Sequence, residues 1–160
     1  MRNRRSHWLI SGLTAVLVLL LLAGTFYSQR FADFAGADGA TEFYICTTNA
    51  GVGHEFRESR PSREEITPLL ELLGEGTLRL DGRSRYIQWD AKDTLYHFSV
   101  YHEGDGGWVE DADFDLCTDG MVYVHHDWLG YLRYRLTGCD MEQVDAALTR
   151  LLNIARKIPE

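Results

Sequence analysis

The stretch VYVHHDWLGY, residues 122–131, sets two adjacent histidines and an aspartate at the end of an apolar run. Imidazole nitrogens and a carboxylate are ligands for zinc and other divalent ions, so metal binding is the first chemistry to weigh. In a strand, successive side chains point to opposite faces. His125 then falls with Met121 and Tyr123, and His126 with Val122 and Val124. Two neighbouring histidines of one strand do not chelate one ion, so partners must come from elsewhere. An up-and-down order of strands gathers the loop at Glu103 and Asp105 beside the Asp127 turn, which makes His102, His126 and Asp127 the candidate ligands. The strands that carry them are separated by another, about 10 Å between backbones, and a site forms only where loops fold inward. No HExxH or CxxC spacing is present, and no metal or cofactor is assigned.

The acidic run EGDGGWVEDADFDLCTDG, residues 103–120, invites comparison with a calcium loop, because Asp111, Asp113 and Asp115 alternate. Leu116 stands where such a loop needs its turn glycine and Val122 where it needs a bidentate glutamate. Alternation of those aspartates with Ala112, Phe114 and Leu116 describes instead a strand with one buried and one solvated face. The solvated face is suited to a basic protein partner.

Three cysteines follow residue 40. Cys46 and Cys117 are a conceivable disulfide, with Cys117 expected on the solvent face. Cys139 precedes a helix start, where the dipole lowers a thiol pKa. GxSxG, SxxK, P-loop and GxGxxG motifs are absent, so no catalytic residue is assigned.

These side chains need elements to hold them. EFYICTT (residues 42–48) has the content of a strand, and Ile66, Leu69, Leu70 and Leu73 mark one helical face. That helix begins either at a Ser62/Glu65 capping box or at Thr67-Pro68, since proline belongs in a first turn. TLRL and RSRYIQW flank Asp81-Gly82, a hairpin signal. TLYHFSVYH, WVEDADFDL, MVYVHH and YLRYRL follow, separated by turn residues. A final helix is capped by Asp140 with Gln143, carries Val144, Leu148, Leu151, Leu152 and Ala155 on one stripe, and stops before Pro159. The expected fold is α+β: an antiparallel β meander of about five to seven strands packed against two helices, preceded by one transmembrane helix.

The first thirty residues read differently. No Asp, Glu, Lys or Arg lies between Arg5 and Arg30, and residues 8–27 are mostly Leu, Val, Ala, Ile and Gly. Twenty residues of helix span roughly 30 Å, the thickness of the hydrocarbon core. Trp8 and Tyr27 suit the two interfaces, and Arg2, Arg4 and Arg5 hold residues 1–7 in the cytoplasm. A cleavable signal needs a shorter core and a small-x-small site directly after it; Ala35-Gly36-Ala37 has that form but follows too late. The expectation is a single-pass signal-anchor in the cell membrane, a tether over 28–41 with little to bury, and an extracytoplasmic domain over 42–160. Outside the basic N-terminus, thirteen Lys and Arg face all twenty-four Asp and Glu, a formal balance of −11, which argues against nucleic acid and anionic lipid headgroups as partners of the domain.

The sequence of a first strand, an ITPLLELL helix, an aromatic meander with GMVYVHH and YLRYRL, and a last helix reading MEQVDAALTRLL resembles small uncharacterised extracytoplasmic α+β domains of membrane-anchored Gram-positive bacterial proteins. The resemblance spans about residues 42–157 and implies fold and location, with no catalytic residue. The function expected is a membrane-anchored binding or interaction domain without catalytic activity, held in the lipid bilayer by residues 8–27. The alternatives are a metal-dependent enzyme or metal sensor at the turn-end His and Asp residues, and a structural subunit of a membrane complex.

Overall fold

The computed structural model describes residues 12–19, 28–36, 39–48, 56–88, 90 and 93–154. Residues 12–19 are helical (α1) with every side chain exposed, Leu13 and Leu19 among them. The remainder of the expected span over 8–27 lies outside the described residues. No helix among the described residues is long and apolar enough to cross a membrane.

The described residues of 28–41 are built into the domain rather than forming a tether. Ser28–Arg30 form strand β1 and Phe31–Phe34 a single-turn helix, α2. Phe31, Ala35 and Ala40 are buried, and Arg63 Nη1 donates to the Ala40 carbonyl at 3.3 Å. The cause lies in the two phenylalanines that the Ala-Gly-Asp background obscures. Phe31 meets Phe114 edge-on at 5.5 Å, while Phe34 lies 5.4 Å from Phe114 and 5.9 Å from Tyr134. Four residues of helix are short, but two aromatic side chains bury enough surface to fix them.

Strands β2 (Glu42–Thr47) and β3 (Glu58–Ser59) precede helix α3 (Arg63–Gly74). Ser62 caps α3 with Glu65 in a reciprocal box, so the helix starts there and Pro68 lies inside it. Strand β4 (Thr77–Ser84) comes next, then β5 (Leu95–Gly104), β6 (Gly107–Cys117), β7 (Met121–His126), β8 (Gly130–Thr137) and helix α4 (Met141–Ile154). Asp140 Oδ1 accepts from the Glu142 and Gln143 amides, as the capping pair requires.

The architecture is mixed α+β, an antiparallel sheet of eight strands in the order β1-β4-β8-β7-β6-β5-β2-β3. β5 to β8 form the expected meander. The surprise is β4, which pairs with β8 rather than with the strand that follows it. Asp81-Gly82 makes no turn: the strand runs straight through, with a bulge between Leu80 and Gly82 and Gly82 at φ 144°. Asp81 Oδ2 is instead 2.8 Å from Arg133 Nε across the pair, and a bulge that re-aims one side chain is a common use of such a glycine. Residues 85–88, expected as strand, leave the sheet.

Helices α3 and α4 pack side by side on one face. Ile66, Leu69, Leu73, Val144 and Leu148 close over Phe43, Ile45, Phe98, Phe114 and Val122 there. The opposite face is closed only in part: Leu95, Cys117, Met121 and Tyr123 form a second small core with Ile87 and Tyr131. Tyr123 Oη donates to the Gln88 carbonyl, which ties the segment after β4 over it. The described residues leave the rest of that face open.

Candidate functional site

The open face over β2, β5 and β6 gathers the polar residues of the domain. Register decides this. Cys46 pairs with His97 and Tyr44 with Ser99 on one side of β5, while His97 pairs with Asp115 and Ser99 with Asp113 on the other. All six side chains share one face by the two-residue alternation of strands.

At the centre, His97 Nδ1 lies 3.3 Å from Asp115 Oδ1, and its Nε2 lies 3.2 Å from Ser99 Oγ and 3.5 Å from Asp113 Oδ2. Ser99 Oγ in turn donates to Asp113 Oδ2 at 3.4 Å. The hydrogen bond to Asp115 holds the imidazole pKa above its ordinary value against the opposing effect of burial, with the charges of Asp113, Asp115 and Glu110 assisting. A protonated ring satisfies the whole set: both ring nitrogens donate, Ser99 accepts from one and passes its own proton toward Asp113.

Serine, histidine and aspartate in this order are the parts of a nucleophilic triad, and that chemistry is weighed on geometry. A triad aspartate raises the pKa of its histidine in the same way, so access and oxyanion donors decide the question. Ser99 is buried at 4% exposure, and β5 is paired on both edges, so its amides serve the sheet ladder rather than an oxyanion. A protonated His97 offsets one of the two carboxylate charges, and Ser99 shares the other carboxylate by a hydrogen bond.

Beside it opens a cavity of about 420 Å³ lined by Tyr44, Tyr101 and Trp108, with Glu42, Glu58, Arg60, Phe43 and Ser99. Tyr44 Oη donates to Glu58 at 2.9 Å, and burial followed by that bond pushes its pKa up. Arg60 lies 3.6 Å from Glu42, with its guanidinium carbon 5.8 Å from the Tyr44 ring centre. A guanidinium is thus already seated at the cavity's edge on an aromatic face and a carboxylate.

The residues expected to hold a metal are dispersed. His102 Nδ1 is 2.7 Å from Asp111 Oδ1, the residue at the bulge of β6. His126 and Asp127 are exposed in the β7–β8 turn, and His125 packs its ring on Tyr131 at 5.1 Å. β6 pairs with β7 only through Asp115 and Leu116, so the two hairpins part before their tips and keep His102 away from His126. Asp93, Cys117 and Asp119 do bring ligand atoms within 4.8 Å of one another. Burial drives the Cys117 thiol up to about 12, so it keeps its proton, and Asp119 Oδ1 is spent on the Met121 amide at 2.9 Å.

All three cysteines are free. Cys46 and Cys117 occupy β2 and β6 with β5 between them, about 10 Å apart laterally, beyond the reach of a disulfide. Cys117 is fully buried under the second core rather than solvent-facing. At Cys139 burial outweighs the helix start and raises the thiol pKa.

Tyr44, His97 and Ser99 were not singled out by sequence. The HxS spacing in TLYHFSVYH was the available signal, but it acquires meaning only with the facing aspartates in register. No protein-family model, curated protein or solved structure matches the chain.

Proposed function

We propose that the chain is a membrane-anchored extracytoplasmic binding domain whose ligand is a cationic group, such as a lysine or arginine side chain of a protein partner. The observation that carries it is the cavity walled by Tyr44, Tyr101 and Trp108, where the carboxylates of Glu42 and Glu58 outnumber the one cation, Arg60. An aromatic enclosure with nearby negative charge favours a cation by ring quadrupole and Coulomb attraction together. Its size lies in the range of small-ligand pockets. The formal balance of −11 outside the basic N-terminus attracts a basic partner to the domain.

The anchor belongs to the same reading. Residues 12–19 form an apolar helix that none of the described residues covers, and the uncharged stretch around it is of bilayer length. Calorimetric titration of the full chain in detergent with lysine and arginine tripeptides should show binding that a glutamate tripeptide lacks. Trp108→Ala should weaken it about tenfold, the scale of losing ~1–2 kcal/mol of cation–ring attraction. Equal binding of the acidic peptide, or indifference to Trp108→Ala, sinks the proposal. Labelling of Ser99 by a fluorophosphonate would favour an acyl-transfer enzyme instead.

A further inference from the structure

β1 is antiparallel to β4, with Ser28 level with Arg79 and Arg30 level with Thr77. The chain before Ser28 therefore enters from the end of the sheet toward which β4 runs. β4 continues past Arg79 by four ladder steps to Ser84, which pairs with Tyr131 at the base of the β7–β8 turn. Four steps are about 13 Å. That end of the sheet carries a cleft of about 350 Å³ lined by Arg83, Ser84, Arg85, Trp128, Leu129 and Gly130. Trp128 is 94% exposed, and Tyr86 beside the cleft is 70% exposed.

We infer that this cleft binds the phosphate layer of the bilayer that holds the N-terminal segment, with Trp128 and Leu129 entering the interface and Arg83 and Arg85 on phosphate oxygens. The inference rests on the anchor reading above. The apolar stretch ends at Tyr27, and Ser28 is already in the sheet, so no linker separates them. With the span ending at Tyr27, the reach of about 13 Å exceeds the headgroup zone, roughly 5–8 Å deep on each side, so the sheet leans to keep its end within that zone. With Gly24 to Tyr27 fully extended outside the span, their reach of about 13 Å brings the sheet end just level with the surface. Both cases leave the sheet end within reach of the headgroups.

The chemistry of the cleft agrees with that position. Guanidinium groups match phosphate geometry, and tryptophan with tyrosine collects at the interface. The cleft lining is cationic in a domain that is otherwise strongly acidic, and Asp127 in the turn is the acidic neighbour it must overcome. The acidic β5–β6 hairpin, whose tip lies toward the same end, has parted from β7 on the tip side of Asp115, which separates Glu103 and Asp105 from the arginines.

The test uses the full chain in phospholipid vesicles containing a lipid with a photoactivatable headgroup, with adducts mapped by mass spectrometry. Adducts at 83–86 and 127–130, together with adducts flanking 8–27, are the expected result. Adducts flanking 8–27 without those at 83–86 and 127–130 overturn the inference and leave the anchor standing. Absence of adducts around 8–27 overturns the anchor and the inference with it. The double variant Arg83→Glu, Arg85→Glu should lose most of the sheet-end adducts while those around 8–27 persist; unchanged sheet-end labelling overturns the role given to the arginines.

Discussion

His97 and Asp115 face each other across β5 and β6, with Nδ1 3.3 Å from Oδ1, and this pair organises the open face of the sheet. Ser99 and Asp113 extend it one pair along.

The folded state holds His97 protonated above its ordinary pKa of 6.5. A raised folded pKa contributes stability that is fully present below the unfolded value and is lost as pH rises through the folded one. Melting temperature should therefore fall between pH 6.5 and the raised pKa, with a slope that His97→Gln removes. Proton-detected titration of the His97 ring should also show Asp115→Asn moving its pKa down. A slope that survives in His97→Gln assigns it to other groups.

Phe31 packs on Phe114 and is 1% exposed. Phe31→Ala should cost about 3–5 kcal/mol in urea unfolding, the usual loss for a buried phenylalanine. A tether would give no change.

Gly130 opens β8 at φ 73°, where an added Cβ would stand 2.9 Å from the Ser84 carbonyl oxygen. Gly130→Ala meets both a left-handed backbone and a backbone contact that does not yield. A loss of about 1–3 kcal/mol is expected, read from the denaturation midpoint.

The thiols are free, and burial raises the pKa of Cys46, Cys117 and Cys139. Iodoacetamide should modify all three in denaturant without reductant, and slowly in the folded chain. Mass spectrometry finding only one modified cysteine in denaturant would establish a disulfide.

How much of this was legible in sequence follows from the range of the interactions involved. The capping box at Ser62 and Glu65, the Asp140 cap with Gln143, and the apolar stripes of α3 and α4 are local, set within a turn or two of chain, and they appear in the fold as read. The face assignments of His125 and His126 hold for the same reason, since alternation is a property of one strand. Asp81-Gly82 misled because a bulge and a hairpin use the same residue types; β8 alone, fifty residues on, makes it a bulge. Phe31 and Phe34 looked like part of a polar tether because their partners Phe114 and Tyr134 are distant in sequence.

The candidate site shows the division most sharply. Composition and pattern determined an acidic α+β chain with one solvated, aspartate-bearing strand and an uncharged N-terminal stretch of bilayer length. The turn at Gly104 and Gly107 would by itself place Phe114 opposite His97. The bulge between Val100 and Tyr101 shifts the pairing by one residue and puts Asp115 there instead. A one-residue slip moves every side chain to the other face. Only the packing of the whole sheet, with Phe114 stacked on Phe98 at 4.9 Å beneath the helices, decides that slip, and with it the meeting of His97, Ser99 and the two aspartates.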